Sequence, residues 1–219
     1  MRTITVKGVG KVSIRPNLIV ISMRLETENE EYGKAMSLAS EKIDDLNKVL
    51  ENVGFEKKSV KTTAFNVRTN YESVRDKNGN YKSVFKGYVC SHNLKVEFDF
   101  DTKTLAKVLS AISSCLAMPE LSISFTVKDP SEVSSELLKS ATINAKDKAE
   151  ILCSSFGVNL GELVSIDYNW DDINVFSATD YKIENRCMLK AETCLSNIEI
   201  EPDDIHVNDS ATFVWEIYR

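Results

Sequence analysis

The sequence predicts an α+β fold, in which a mixed or antiparallel β-sheet carries three amphipathic helices packed on one face. Short segments in which apolar and polar residues alternate outnumber the segments with helical spacing, and several of them follow one another directly. A doubly wound parallel sheet would instead alternate strand and helix along the chain. The predicted order is β-β-α-β-β-α-β-α-β-insertion-β.

The first third of the chain contains two predicted strands and a helix. Strands are predicted over 3–14 and 17–28, and Pro16 lies between them, where it costs no ladder hydrogen bond. Residues 31–53 place apolar side chains at i, i+3 and i+4, which is the spacing of one helix face. Gly54 follows and is suited to end that helix.

The next segment predicts a long hairpin. A strand is predicted over 58–71, and the Asn78-Gly79 dipeptide is typical of a tight turn. The returning strand runs to residue 100, and about 17 residues of strand would span about 55 Å. We therefore expect a bend near Gly87 or an extension beyond the sheet. One face is expected to carry Val84, Tyr88, Cys90, His92, Leu94, Val96, Phe98 and Phe100.

The second half predicts two further helices. A helix is expected over 102–117 with Asp101 or Thr102 as its cap, and a strand follows over 121–127. Asp129-Pro130 then begins a third helix, since proline is tolerated in a first turn. Its inner face is expected to be Val133, Leu137, Leu138, Ala141, Ala145, Ala149, Leu152 and Phe156. Gly157 ends it, and a strand is expected over 162–168.

Residues 169–202 interrupt this regular pattern. They are acidic at the start and show no clear period, so we interpret them as an irregular insertion. A short helix or a hairpin over 181–195 is left open. Alternation returns in a closing strand at about 204–218, which is apolar enough to require a place inside a sheet. The prediction is therefore a single domain over 1–219.

Composition excludes several classes of protein. The net charge is −6, from 27 basic and 33 acidic side chains, and this disfavours nucleic acid as a partner. No apolar run is long enough for a transmembrane segment. The chain begins directly with a strand pattern rather than a signal peptide. We expect a cytoplasmic protein, or an extracytoplasmic (periplasmic) one if a leader has been removed.

The cysteines indicate a reducing compartment. There are five, an odd number, and none forms a close CxxC pair. Three fall within predicted regular structure, where a free cysteine usually packs as a small apolar residue. A bridge between Cys187 and Cys194 is the one disulfide left open.

Motifs for catalysis or cofactors are not convincing. Gly8-Val9-Gly10-Lys11 lacks the spacing of a phosphate loop, so its glycines are expected to relieve crowding at a bulge or bend. Cys90 and His92 share a strand face about 7 Å apart, which is too far for a direct hydrogen bond. Catalysis by this pair is kept as an alternative to packing.

Metal and ligand sites are not predicted either. The two histidines, His92 and His206, are far apart in sequence, and no cluster has the spacing of a zinc or iron site. The adjacent carboxylates at 171–172 and 203–204 point apart on a strand and leave only a loosely held surface cation open. We expect no catalytic, cofactor or metal residues, and the sequence predicts no small-molecule ligand and names no residues for one.

An ordered set of local patterns resembles the SIMPL domain family, a family of unknown function that includes YggE-like proteins. The resemblance lies in Ile4–Gly10 with Pro16, in Gly87–Ser91, in Ala145–Glu150 and in Gly157–Gly161, together with the closing strand after Pro202. It covers nearly the whole chain apart from residues 169–202. No single pattern is specific, and the order of the set carries the resemblance.

The resemblance implies a non-enzymatic, oligomer-forming protein. SIMPL proteins are associated with ring-like or channel-like assemblies, with oxidative stress and, in animals, with adaptors in kinase pathways. We therefore expect a homo-oligomer with a stress-related or envelope-related role, in which the long strand and the insertion are interfaces. The alternative is a monomeric adaptor that binds another protein through residues 169–202.

Overall fold

The computed structural model describes residues 2–75, 80–168, 173–183 and 200–219. Eight strands and three helices follow one another in the predicted order, so the α+β class is confirmed. In chain order they are β1 (Thr3–Ile14), β2 (Leu18–Asn29), α1 (Tyr32–Asn52), β3 (Lys61–Arg75), β4 (Tyr81–Asp99), α2 (Thr102–Ser113), β5 (Glu120–Thr126), α3 (Pro130–Ser155), β6 (Asn159–Tyr168), β7 (Phe176–Ile183) and β8 (Ile205–Tyr218).

The strands form two sheets, a division that the sequence did not predict. The sheets have the orders β1-β8-β6 and β3-β4-β2-β5-β7. The chain correspondingly divides into two compact units, of which the first comprises Met1–Asn17, Thr126–Ala178 and Pro202–Arg219, and the second Leu18–Phe125 and Thr179–Glu201. The single domain over residues 1–219 stays a prediction. The insertion at 169–202 contains a regular strand, β7, while residues 169–172 and 184–199 lie outside the described residues.

In the second unit, α1 and α2 cover one face of the five-stranded sheet, which we call the helix face. The alternation in β2 points Ile21 and Met23 into this core, where they meet Leu46 of α1 and Leu109 of α2. The opposite face carries the polar residues of the same strands, and we call it the polar face. Asp101 caps α2 by accepting hydrogen bonds from the Lys103 and Thr104 amides.

In the first unit, α3 packs on the three-stranded sheet. β8 is the central strand and pairs antiparallel with β1 and with β6. Small residues of α3 form the contact surface with Phe213 and Trp215 of β8. Asp129 caps the helix through the Ser131 amide, and Pro130 occupies the first turn as predicted.

Two glycines of β1 let α3 approach the sheet closely. A Cβ atom at Gly8 would lie 2.1 Å from the Ala141 carbonyl oxygen, and one at Gly10 would lie 2.1 Å from that of Leu137. The pairing of β1 with β8 continues through both positions without a register shift. The expectation of a bulge or bend at these glycines is therefore wrong. Gly8 and Gly10 instead make room for the backbone of α3.

The buried stripe of α3 is narrower than predicted. Its buried residues recur at every fourth position from Val133 to Cys153. Leu138 and Leu152 are 36% and 43% exposed, and Phe156 is 81% exposed beyond the helix end. The inner-face assignment of these three residues is wrong, because the close contact at the small residues turns their side of the helix away from the sheet.

Substitution Gly10→Ala is expected to destabilise the protein by about 1–3 kcal/mol, because the new methyl group overlaps a backbone carbonyl that cannot easily move. Urea unfolding followed by tryptophan fluorescence measures this change, since Trp215 is buried in the same compact unit. The matched control is Gly33→Ala in α1, where nothing lies within 4 Å and the free energy of unfolding should stay equal or rise slightly. Equal stabilities for the two variants would contradict the packing explanation.

Candidate protein-interaction site

The hairpin of β3 and β4 extends beyond the rest of its sheet. The pairing of β2 with β4 stops where Asn29 lies opposite Tyr88. The pairing of β3 with β4 continues past this point, so that Tyr71–Arg75 and Tyr81–Phe85 form a two-stranded ribbon. We call this part of the hairpin the ribbon. The predicted extension beyond the sheet is therefore confirmed.

Gly87 marks the point at which the ribbon leaves the sheet. Its φ is +144°, and a Cβ atom there would lie 2.4 Å from the Asn29 carbonyl oxygen. The register shifts beside it, so that Lys86 is an extra residue in β4. The shift reverses the alternation of the strand. Phe85 therefore shares a face with Tyr88, and the prediction of Val84 on that face is wrong.

A row of aromatic rings runs from α1 along this face into the ribbon. The ring of Tyr32 lies 5.5 Å from that of Tyr88, the ring of Tyr88 lies 5.4 Å from Phe85, and the ring of Phe85 lies 5.5 Å from Tyr71. All three contacts are edge-to-face, the geometry that the ring quadrupoles favour. Tyr81 at the far end of the ribbon is 74% exposed. The row therefore presents apolar surface to solvent.

Strand β3 is an open edge of the sheet. Among the residues that the structure describes, it pairs only with β4 and occupies the end of the strand order. Phe65 and Tyr71 point to the helix face but are about half exposed, because α1 packs against β2 and β4 further in. Within the described part of the chain, the edge thus combines a strand side that has no neighbouring strand with exposed apolar side chains, which is typical of a surface that binds another strand.

The polar face beside this edge is held by ion pairs and hydrogen bonds. Arg24 contacts Glu26 at 2.6 Å, and the Ser91 hydroxyl donates to the same carboxylate at 2.8 Å. The hydrogen bond from Arg24 is the largest cause that lowers the pKa of Glu26. Closer to the ribbon, Lys86 contacts Glu72 at 2.7 Å. These pairs keep the face charged but nearly balanced.

A shallow depression of about 690 Å³ crosses the same face. Arg24, Asn93, Glu120 and Lys182 contribute polar groups to its lining. Charges of both signs alternate there, and neither a positive nor a negative centre dominates. The described lining of the depression therefore does not by itself indicate a ligand class.

Cys90 and His92 lie on the helix face, and both side chains are buried. Burial raises the pKa of the Cys90 thiol and lowers the pKa of the His92 imidazole. Nε2 of His92 lies 2.8 Å from the Thr62 hydroxyl, and its ring packs edge-to-face on Phe65. Both groups are therefore held neutral at neutral pH, whereas a nucleophilic pair requires a thiolate and an adjacent base.

The other sequence candidates are placed apart. Gly8 and Gly10 face α3, while Asp203 and Asp204 lie before β8. Among the residues that the structure describes, no group of three or more histidine, cysteine or acidic side chains could hold a metal ion. Residues 171–172 and the pair Cys187 and Cys194 lie outside the described residues.

The helices of the described chain include none that is long and apolar enough to cross a membrane.

The sequence had indicated the open edge only through the length of β4. Gly87 was the available signal for the bulge, but a register shift depends on the partner strands. The exposure of Phe65 and Tyr71 could not be predicted, because their alternation is the same as that of buried strands.

The fold and this surface define a class of protein: a two-sheet α+β protein with a protruding hairpin and an open sheet edge. Within that class, the sequence profile of the SIMPL family, described as a protein of unknown function (DUF541), matches residues 4–215. The chain therefore belongs to the SIMPL family, as its ordered local patterns predicted. A search of curated proteins gave no match.

The Cys90 thiol is expected to resist alkylation at neutral pH, because burial both shields it and keeps it protonated. Brief treatment with iodoacetamide, followed by peptide mass spectrometry, should leave Cys90 unmodified in the folded protein and modified in urea. The unfolded sample is the control for reagent and peptide recovery. Rapid labelling of folded Cys90 would contradict this expectation and favour the catalytic alternative.

The free energy of unfolding should fall as the pH drops from 7 to 5. The lowered pKa of His92 means that the unfolded chain binds this proton more tightly, so stability is lost as pH falls through the ordinary value of 6.5. Urea titrations at several pH values measure the slope. His92→Gln should flatten the slope, and His206→Gln in β8 is the matched control. An unchanged slope in His92→Gln would show that protonation of His92 does not cause the pH dependence of stability.

Proposed function

We propose that this SIMPL protein is non-enzymatic and assembles with copies of itself through β3 and the ribbon. The observation that carries the proposal is the ribbon itself, a two-stranded extension with an exposed aromatic row. A two-stranded hairpin alone is marginally stable in water, and three strands or a packed face are needed for stability. A partner strand would supply both.

The open edge supports the same proposal. Natural proteins usually protect sheet edges with short strands, proline or covering segments. β3 carries charged side chains and one bulge at Thr63, but it is 15 residues long and contains no proline. Because such an edge pairs readily with another strand, its persistence in a native protein favours a regular binding partner.

The charges of the edge favour a second copy as that partner. Arg68 and Glu72 lie on the same strand, and opposite charges on one surface allow that surface to complement itself. Twofold association places the same patch of both subunits in contact, so self-complementarity is the property that it needs. A dedicated partner of a single charge would meet repulsion at one of the two positions.

The non-enzymatic part of the proposal rests on the neutral, buried state of Cys90 and His92. A role in stress or at the cell envelope, and a cytoplasmic or exported location, are proposals that rest on the family resemblance and the sequence. The adaptor alternative has support from β7, an edge strand inside the 169–202 segment on which Phe176 is half exposed.

The double substitution Tyr71→Ser with Tyr81→Ser is expected to weaken self-association at least about tenfold, because it removes two exposed aromatic anchors. Size-exclusion chromatography with light scattering measures the solution mass. Wild type should show a defined multiple of 24.6 kDa, and the variant should shift toward that single mass.

Phe156→Ser is the control, because this aromatic residue is at least as exposed as Tyr71 and Tyr81 but follows α3 in the other unit. It should leave the solution mass unchanged. A wild-type chain that remains monomeric at high concentration would overturn the self-assembly proposal and give weight to the adaptor alternative. Loss of association in both variants would place the interface elsewhere.

A further inference from the structure

Strand β3 has two distinct faces along its second half. From Ala64 to Arg75 the strand pairs with β4 without an extra residue of its own, so its side chains alternate strictly. Phe65 packs on the His92 ring at the helix face. Asn70 donates to Glu28 at 2.7 Å on the polar face. Arg68 and Glu72 are two residues to either side of Asn70 and therefore share its polar face.

Twofold symmetry restricts how two copies of β3 can pair. In an antiparallel pair, residues directly opposite each other point to the same side of the sheet. A twofold axis perpendicular to the sheet keeps the polar faces of both copies on one side. The axis must therefore lie midway between two copies of the same residue. Any other position would set a polar-face side chain of one copy opposite a helix-face side chain of the other.

The charges favour one of these axes, because only an axis at Asn70 brings Arg68 and Glu72 of the two copies together. An axis at Arg68 or at Glu72 would set two like charges directly opposite each other, which is destabilising. An axis at Asn70 sets Arg68 opposite Glu72 of the second copy. Symmetry repeats the contact, so that two opposite-charge pairs form at once.

We propose that β3 of two copies pairs antiparallel around Asn70, with each Arg68 against Glu72 of the other copy, so that the two five-stranded sheets form one continuous sheet. The proposal rests on the proposed self-assembly and specifies its contacts. Among the residues that the structure describes, no ion pair involves Arg68. Glu72 already contacts Lys86 and would lie between two cations.

The same register covers the exposed apolar side chains of the edge. On the helix face, Val67 lies opposite Ser73 of the second copy, and Tyr71 lies opposite Thr69. The paired region extends from Phe65 to Arg75 in each copy, which corresponds to about ten new backbone hydrogen bonds. The exposed parts of the Phe65 and Tyr71 side chains then lie on one helix face that continues across both copies.

Two charge reversals, mixed together, test this register. Arg68→Glu and Glu72→Arg should each raise the dissociation constant of the homodimer about tenfold or more, since each turns two attractions into two repulsions. An equimolar mixture should associate as tightly as wild type, because every facing pair then has opposite charges. Light scattering and sedimentation measure the masses, and native mass spectrometry of one isotope-labelled variant measures the 1:1 composition.

Lys107→Glu is the matched control for Arg68→Glu, because it also replaces a positive charge with a negative one, at an exposed position of α2. It should not weaken association. Circular dichroism and thermal unfolding verify that all variants are folded, and rescue by mixing cannot arise from misfolding. If wild type is an oligomer but the variants associate normally, or the mixture gives no rescue, this register is overturned and self-assembly stands. A monomeric wild type overturns both.

Disulfide cross-linking of Asn70→Cys gives an independent measurement. The residue on the twofold axis faces its own copy, so mild oxidation should give a covalent dimer. Ser73→Cys is the control, because its opposite residue is Val67, and it should cross-link no more than wild type with its five native cysteines. Stronger cross-linking at Ser73 than at Asn70 would overturn the register.

Discussion

The antiparallel pairing of β4 with β2 on one side and β3 on the other is the constraint on which the second unit depends. Where both partners are present, the alternation of β4 buries Cys90, His92 and Leu94 under the helices. Where β2 ends, the same strand continues with β3 alone and its side chains become exposed. One strand thus provides both the centre of a core and the base of an exposed two-stranded ribbon.

Glycines decide where backbones come close in both units. In the first unit, Gly8 and Gly10 remove the side chains that would separate β1 from α3. In the second, Gly87 takes a positive φ beside Asn29 and allows the register shift that turns Phe85 toward the aromatic row. The first case serves packing, and the second re-aims the side chains of a projecting strand, as bulges do at sheet edges.

Burial also explains why residues suggestive of chemistry have a structural role. Cys90 and His92 are neighbours on one face, as the period of the strand requires. The core around them disfavours the charged form of each, which raises the pKa of the thiol and lowers that of the imidazole. A hydroxyl from Thr62 and the ring of Phe65 then fix the histidine, so that it becomes part of the packing under the open edge.

The sequence by itself determined the class of fold, the order of its elements and the family, because the periods of two and 3.6 and the capping residues are local properties of the chain. The length of β4 also predicted either a bend near Gly87 or an extension past the sheet, and the structure has the extension. Only the tertiary structure decided the division into two sheets, the exposure of Phe65 and Tyr71 and the side on which Phe85 lies. These features depend on which strands become neighbours and on where a helix packed on the sheet ends. The alternation of apolar and polar residues is the same in a strand covered by a helix and in a strand exposed at the sheet edge.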